Sequence, residues 1–154
     1  MGEGSTFSIY LPASEKEVVK EDPRHEEVVR GKETILLVDD EDNIIIDVGR
    51  KIIENLGYDV LTAEGGEAAL DIYKKNRDKI DMLILDMIMP EMGGGETYDR
   101  LKEINPDIKV LLSSGYSIDG QATEILDRGC SGFIQKPFNI GQLSTKIREI
   151  IDRN

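Results

Sequence analysis

Several residue types that build functional sites are scarce in this chain. Its 154 residues include one cysteine, Cys130, one histidine, His25, and no tryptophan. A single cysteine excludes an internal disulfide framework and is typical of a reducing compartment, so we predict a cytoplasmic location. The shortage of thiols and imidazoles also argues against a zinc site, because structural and catalytic zinc is usually held by these groups.

Long apolar runs and excess positive charge are absent as well. No stretch is long and apolar enough to span a membrane, and no signal peptide is visible. The net charge is −12, from 31 acidic and 19 basic residues. An acidic surface repels phosphate backbones and anionic lipids, so we predict no nucleic-acid binding and no direct membrane contact. It does suit a divalent cation.

Residues 34–153 alternate between strand and helix patterns. Short apolar runs predict strands at 35–38, 58–62, 82–86, 110–115 with its exit, and 132–134. Apolar residues at spacings of three or four predict helices between them, the first with Ile45, Val48, Gly49, Ile52 and Leu56 on its apolar face. Strands separated by single helices imply an α/β fold with a parallel sheet. For five such units we predict the doubly wound, flavodoxin-like strand order 2-1-3-4-5.

The third strand ends in a single carboxylate. Residues 82–85 are apolar and run directly into Asp86, and Pro90 follows four residues later. That pattern is typical of a strand that is buried on both faces and then leaves the sheet. Ligands of open α/β sheets bind outside the carboxyl ends of the strands. Taken alone, Asp86 fits a turn cap equally well.

Other strands end in chemically useful side chains too. Asp39 and Asp40 follow the first strand, Ser114 the fourth and Lys136 the fifth. In the order 2-1-3-4-5 these strands are neighbours, so we expect their side chains to meet Asp86 at one edge. Two carboxylates ~4 Å apart repel by about 4 kcal/mol at an effective dielectric of about 20. A hard dication removes that repulsion, and oxygen ligands favour Mg²⁺.

This arrangement predicts chemistry at Asp86. With Asp39 and Asp40 occupied by Mg²⁺, the Asp86 carboxylate is free to take a phosphoryl group as an aspartyl phosphate. Lys136 and the Ser114 hydroxyl would bind the phosphoryl oxygens. Separately, a solvated lysine and a capping hydroxyl are the simpler interpretations of these two residues. Their joint occurrence at matched strand ends favours the site.

These residues resemble the motifs of the response-regulator receiver domain, over residues 34–153. Asp39 and Asp40 resemble its acidic pair, Asp86 its phosphoacceptor, and Lys136-Pro137 its Lys-Pro, a bond that is usually cis in that family. The resemblance implies a phosphoacceptor module of a two-component phosphorelay, without substrate turnover of its own. Such a module takes a phosphoryl group from phosphohistidine onto Asp86 with Mg²⁺.

The resemblance also implies roles that the strand-end pattern does not single out. It adds the backbone carbonyl of Ile88 to the metal ligands Asp39, Asp40 and Asp86. It makes Ser114 the switch hydroxyl and Phe133 the switch aromatic. Cys130 falls where a small buried residue is usual, so we predict inert packing for its thiol.

The segment before residue 34 carries a second resemblance. Residues 1–12 resemble the last strand of a histidine-kinase ATP-binding domain, which typically ends Gly-x-Gly-Ser/Thr-x-Phe-x-x-x-Leu-Pro. A disordered leader is the alternative. Residues 13–33 are rich in charges of both signs and predict a linker, in which His25 is solvated.

Together with a last helix that ends beside the C-terminus, the kinase-like segment predicts the C-terminal receiver of a hybrid sensor histidine kinase. The parent protein could be membrane-anchored. The expected phosphoryl donor is a phosphohistidine of the same parent protein, and a histidine phosphotransfer protein is a possible acceptor.

Two other functions remain open at this point. One is a Mg²⁺-dependent aspartyl-phosphate phosphohydrolase with Asp40 as nucleophile and Asp42 as acid, which needs a substrate-selecting cap for which this chain has little room. The other is a receiver-like binding module that is never phosphorylated. The residue that becomes labelled by a phosphoryl donor distinguishes all three.

Overall fold

The computed structural model of this chain describes residues 28–40, 43–115 and 120–153. The kinase-like segment 1–12, His25 and Asp42 lie outside these ranges. The elements in chain order are β1 Thr34–Asp39, α1 Asn43–Asn55, β2 Asp59–Glu64, α2 Gly66–Asn76, β3 Met82–Asp86, α3 Gly94–Ile104, β4 Lys109–Ser114, α4 Gly120–Asp127, β5 Gly132–Gln135 and α5 Ile140–Ile151. No helix in the described part of the chain has the length and apolarity needed to cross a membrane.

The five strands form one parallel sheet in the order β2-β1-β3-β4-β5, which confirms the prediction. Successive side chains of a strand point to opposite faces of the sheet, so each apolar run contributes side chains to two core layers, one on each face. Leu36, Leu83 and Leu112 belong to the layer that α2, α3 and α4 cover. Ile35, Ile84 and Leu111 belong to the layer under α1 and α5. This two-sided burial explains why the central strands are almost wholly apolar.

The face of α1 that packs on the sheet differs from the prediction. Val48, predicted to be buried, is 53% exposed, whereas Ile46 and Ile53 are buried. Three consecutive isoleucines, 44–46, make the apolar stripe of this helix ambiguous in the sequence. Packing on the sheet selects Ile46 and leaves Ile44 exposed.

Two of the three glycines after β3 lie in a helix. The run Gly93-Gly94-Gly95 suggests a loose loop, but α3 begins at Gly94. A Cβ on Gly94 would collide with the carbonyl oxygen of Asp86. Glycine at this position therefore lets the helix start directly against the end of β3.

The last residues of the predicted linker contact the folded domain. The Gly31 amide donates to the Leu56 carbonyl at 3.1 Å, and the Asp59 amide donates to the Glu33 carbonyl at 3.0 Å. Arg148 Nη1, near the end of α5, donates to both Glu33 carboxylate oxygens at 2.9 and 2.8 Å. Residues 31–33 are thus held between the end of α1 and the end of α5.

We predict that Glu33→Gln lowers the free energy of unfolding by about 1 kcal/mol at pH 7, because the paired carboxylate is lost while Arg148 keeps Asp152 as a partner. Burial alone would raise the Glu33 pKa, but the hydrogen bonds and charge of Arg148, together with backbone amide hydrogen bonds, outweigh burial and hold the pKa below its ordinary value. The stabilisation is therefore present above the ordinary pKa and is lost as the pH falls through the lowered pKa.

Chemical denaturation at several pH values measures this effect. Glu149→Gln, which removes an exposed pair with Lys146, is the matched control and should change stability little. A Glu33→Gln deficit that stays constant down to the acid-unfolding range would contradict a charge-based origin.

Candidate functional site

Three carboxylates meet at the carboxyl edge of the sheet. One oxygen from each of Asp39, Asp40 and Asp86 lies within 4.8 Å of the others. Asp39 ends β1 and Asp86 ends β3, and these strands are direct neighbours. Asp39 and Asp86 are buried, whereas Asp40 is exposed to solvent. The structure therefore brings together the acidic residues that the strand-end pattern selected.

Lys136 enters this cluster from the end of β5. Its Nζ lies 2.9 Å from Asp39 Oδ2 and 3.7 Å from Asp86 Oδ2. The Lys136 backbone amide donates to the Ser114 carbonyl at 2.7 Å, which fixes the start of the β5–α5 loop against β4. The Lys136–Pro137 peptide bond is cis, as the resemblance implies.

Electrostatics at Asp86 are unfavourable for its charged form. Burial raises the Asp86 pKa, Lys136 opposes the rise, and the negative charges of Asp39 and Asp40 add to it, so that the pKa is raised overall. The Met87 amide donates to Asp86 Oδ1 at 2.9 Å and stabilises the carboxylate in part. One lysine among three carboxylates leaves an excess of negative charge, which a divalent cation would neutralise.

The remaining predicted residues lie around this cluster. Ser114 is buried at the end of β4, and Phe133 in β5 is partly buried against the α2–α4 core layer. Ile88 lies in the loop after β3 with its side chain 57% exposed. The Cys130 thiol donates to the Val110 carbonyl at 3.2 Å, and burial raises its pKa, as expected of a packed thiol.

Sequence reasoning missed a cavity beside the cluster. It has a volume of about 460 Å³ and is lined by Asp39, Asp86 and Lys136 together with apolar side chains of α1 and Phe138. Ser113 lines it as well. The apolar run of the fourth strand ends in two serines, Ser113 and Ser114, and the sequence does not tell which of them lies beside Asp86. The sheet register does, because it pairs Ser113 with Asp86.

Comparison with known proteins identifies the family to which this fold belongs. The response regulator receiver domain profile matches residues 35–148, which is most of the chain. The chain belongs to this family. Receiver domains are the phosphoacceptor modules of two-component signalling, and that is the function class of this chain.

Individual relatives of the receiver agree. It is 33% identical over 162 aligned positions to the sensor kinase CckA of Brucella abortus, a match covering 99% of this chain and 17% of that protein. A receiver domain protein from Clostridium thermocellum has a crystal structure with a TM-score of 0.75 and 30% identity, covering 79% of this chain and 95% of the other. The response regulator TrrA of Thermotoga maritima, solved in complex with Mg²⁺ and BeF, has a TM-score of 0.68 and 29% identity, with coverages of 77% and 98%.

The receiver spans about half the length of the transcriptional regulators that it matches, such as CpxR of Escherichia coli, at 50% of that protein. It spans a much smaller share of CckA. The family relationship therefore concerns the receiver portion of these longer proteins.

We predict that Asp86→Asn stabilises the receiver in EDTA by about 1–2 kcal/mol, because it removes one of three mutually repelling carboxylates. Asparagine keeps an oxygen for the Met87 amide. Added Mg²⁺ should raise the melting temperature of the wild type more than that of the variant. Asp71→Asn, on the exposed face of α2, is the control. Equal stability of wild type and Asp86→Asn in EDTA would contradict the repulsion.

Proposed function

We propose that this receiver takes a phosphoryl group from phosphohistidine onto Asp86, with Mg²⁺ held by Asp39, Asp40, Asp86 and the carbonyl of Ile88. The observation that carries the proposal is the placement of Asp86. Its carboxylate is buried at the end of β3, beside two other carboxylates and 3.7 Å from Lys136 Nζ. Three clustered carboxylate oxygens are a donor set that fits Mg²⁺.

The transfer needs a nucleophile and positive charge. A carboxylate oxygen of Asp86 attacks the phosphorus, the P–N bond of phosphohistidine breaks, and its electron pair returns to the imidazole nitrogen. Lys136 binds a phosphoryl oxygen, for which its position between Asp39 and Asp86 is suited. When bound, Mg²⁺ supplies further positive charge against the acidic cluster and the phosphoryl oxygens.

Ser114 and Phe133 carry the response in this proposal. The phosphoryl group adds about −1.5 to −2 charges, which attracts the Ser114 hydroxyl. The change leaves space into which Phe133 rotates, and the face of α4, β5 and α5 repacks. Ser114 is buried at the end of β4, and Phe133 pairs in register with Leu112 on that strand, which supports a direct coupling.

We further propose that the chain is the receiver of a hybrid sensor histidine kinase, with its phosphohistidine donor in the same parent protein. The CckA match covers 99% of this chain, whereas matches to transcriptional regulators such as CpxR cover 78%. The difference supports residues 1–12 as the end of a kinase ATP-binding domain and 13–33 as the linker. A histidine phosphotransfer protein is the proposed onward acceptor, and the cytoplasm the proposed location.

The structure disfavours the hydrolase alternative. Its nucleophile, Asp40, is exposed to solvent, whereas Asp86 is buried and within reach of the lysine. Phosphoryl transfer depends on attraction between charged groups, and this attraction is stronger where water does not screen the charges. The geometry therefore favours Asp86 as the phosphoacceptor.

The test is to label the protein with acetyl phosphate or with a phosphorylated kinase domain in Mg²⁺ and to map the modified residue by mass spectrometry. We expect label on Asp86, and Asp86→Asn should lose it at least about 10²-fold. Label on Asp40 would support the hydrolase, and no label with either donor would support a binding module.

We also predict that Lys136→Met slows labelling of Asp86 by about 10²-fold, because the positive charge that faces the phosphoryl oxygens is removed. Lys146→Met, on the exposed face of α5, is the control and should label at the wild-type rate. Rapid-quench labelling with acetyl phosphate measures both. An unchanged rate in Lys136→Met would remove the lysine from the mechanism.

A further inference from the structure

Ser113 in β4 carries a buried hydroxyl that is left unpaired. The residue is 2% exposed, and its Oγ makes no hydrogen bond to any part of the chain within 28–40, 43–115 and 120–153. An unpaired buried hydroxyl destabilises a fold because the water it lost is not replaced. The preceding residues Leu111 and Leu112 show that an apolar side chain is accommodated on this strand. The serine therefore needs an explanation beyond packing.

The sheet register places Ser113 beside Asp86. The two residues pair across β3 and β4, and paired residues of neighbouring parallel strands point to the same face. Two residues earlier on the same strands, Leu111 and Ile84 both belong to the core layer under α1 and α5. Ser113 and Asp86 continue those two rows, so both side chains belong to that face.

Among the residues that the structure describes, most other side chains around Ser113 are apolar. On the β5 side it pairs with Ile134, which is apolar. The nearby cavity wall includes Ile46, Ile52 and Phe138, also apolar. Asp39 lines the same cavity, but its strand is separated from β4 by β3. Asp86 is the polar neighbour that the register puts next to the hydroxyl.

We propose that Ser113 is an additional hydrogen-bond donor to the phosphorylated Asp86 side chain. This inference rests on the proposed function, because it needs the phosphoryl group on Asp86. An aspartyl phosphate is larger than the carboxylate and carries additional acceptor oxygens, and the cavity provides space beside it. The hydroxyl is unpaired before the transfer and gains its partner with it, so Ser113 favours the phosphorylated form.

For Ser113→Ala the proposal predicts a higher melting temperature without ligand and a lower affinity for a phosphoryl mimic. In EDTA the melting temperature should rise by about 2–4 °C, because the unpaired hydroxyl is removed. In Mg²⁺, the affinity for beryllofluoride, which mimics the phosphoryl group on the carboxylate, should fall by about tenfold, the value of one hydrogen bond to a charged acceptor. Ser113→Thr retains the hydroxyl and should retain most of the affinity.

Ser144→Ala is the matched control. Ser144 is also buried, but its hydroxyl donates to the Gly141 carbonyl at 2.9 Å within α5. Removing it should lower the melting temperature and leave beryllofluoride affinity unchanged. Fluorine NMR titration reports the affinity, and calorimetry the melting temperature.

The outcomes separate this inference from the proposed function. If the wild type does not bind beryllofluoride at Asp86, the proposed function fails. If the wild type binds and Ser113→Ala binds equally well, the role of Ser113 is wrong although the function stands. A lower melting temperature for Ser113→Ala would likewise overturn it, because it would show that water in the cavity already pairs the hydroxyl.

Discussion

Three carboxylates repel one another at one edge of the sheet, and the surrounding fold holds them together in spite of that repulsion. Asp39, Asp40 and Asp86 have oxygens within 4.8 Å of one another, and Lys136 reaches Asp39 and Asp86 from the end of β5. A fold that only had to be stable would separate or pair these charges. Holding them together costs stability, and in the proposed function Mg²⁺ and the phosphoryl group offset that cost.

Charged side chains are paired at the amino end of the sheet and carry an excess of negative charge at its carboxyl end. At the amino end, Glu33 and Arg148 form a two-bond pair that ties the incoming chain to α5. At the carboxyl end, negative charge exceeds positive charge and part of it is buried. Helix α5 joins these two regions, since it follows Lys136-Pro137 and carries Arg148 near its last turn. Stabilising contacts and the reactive site are therefore separated along the strand direction.

Buried polar groups at the site divide into satisfied and unsatisfied ones. The Asp86 carboxylate accepts a hydrogen bond from the Met87 amide, whereas the Ser113 hydroxyl beside it lacks a partner in the described part of the chain. A buried polar group with a hydrogen-bond partner rigidifies its surroundings. A buried polar group without a partner destabilises the fold, and a ligand that supplies the partner removes that penalty. A satisfied carboxylate and an unsatisfied hydroxyl therefore lie side by side at the ends of β3 and β4. This arrangement is consistent with the proposal that the site rearranges when Asp86 is phosphorylated.

Sequence patterns were enough to predict the strand order and the meeting of Asp39, Asp86 and Lys136, because strand-helix alternation limits the topology and the carboxyl ends of parallel strands share one edge. They did not determine that Val48 faces solvent while Ile53 is buried, that α3 starts at Gly94, or that Ser113 shares a face with Asp86. Helix rotation, close backbone approach and register depend on contacts between elements far apart in the chain. Tertiary packing decides these three features, because local sequence patterns are compatible with several helix rotations and strand registers of similar free energy.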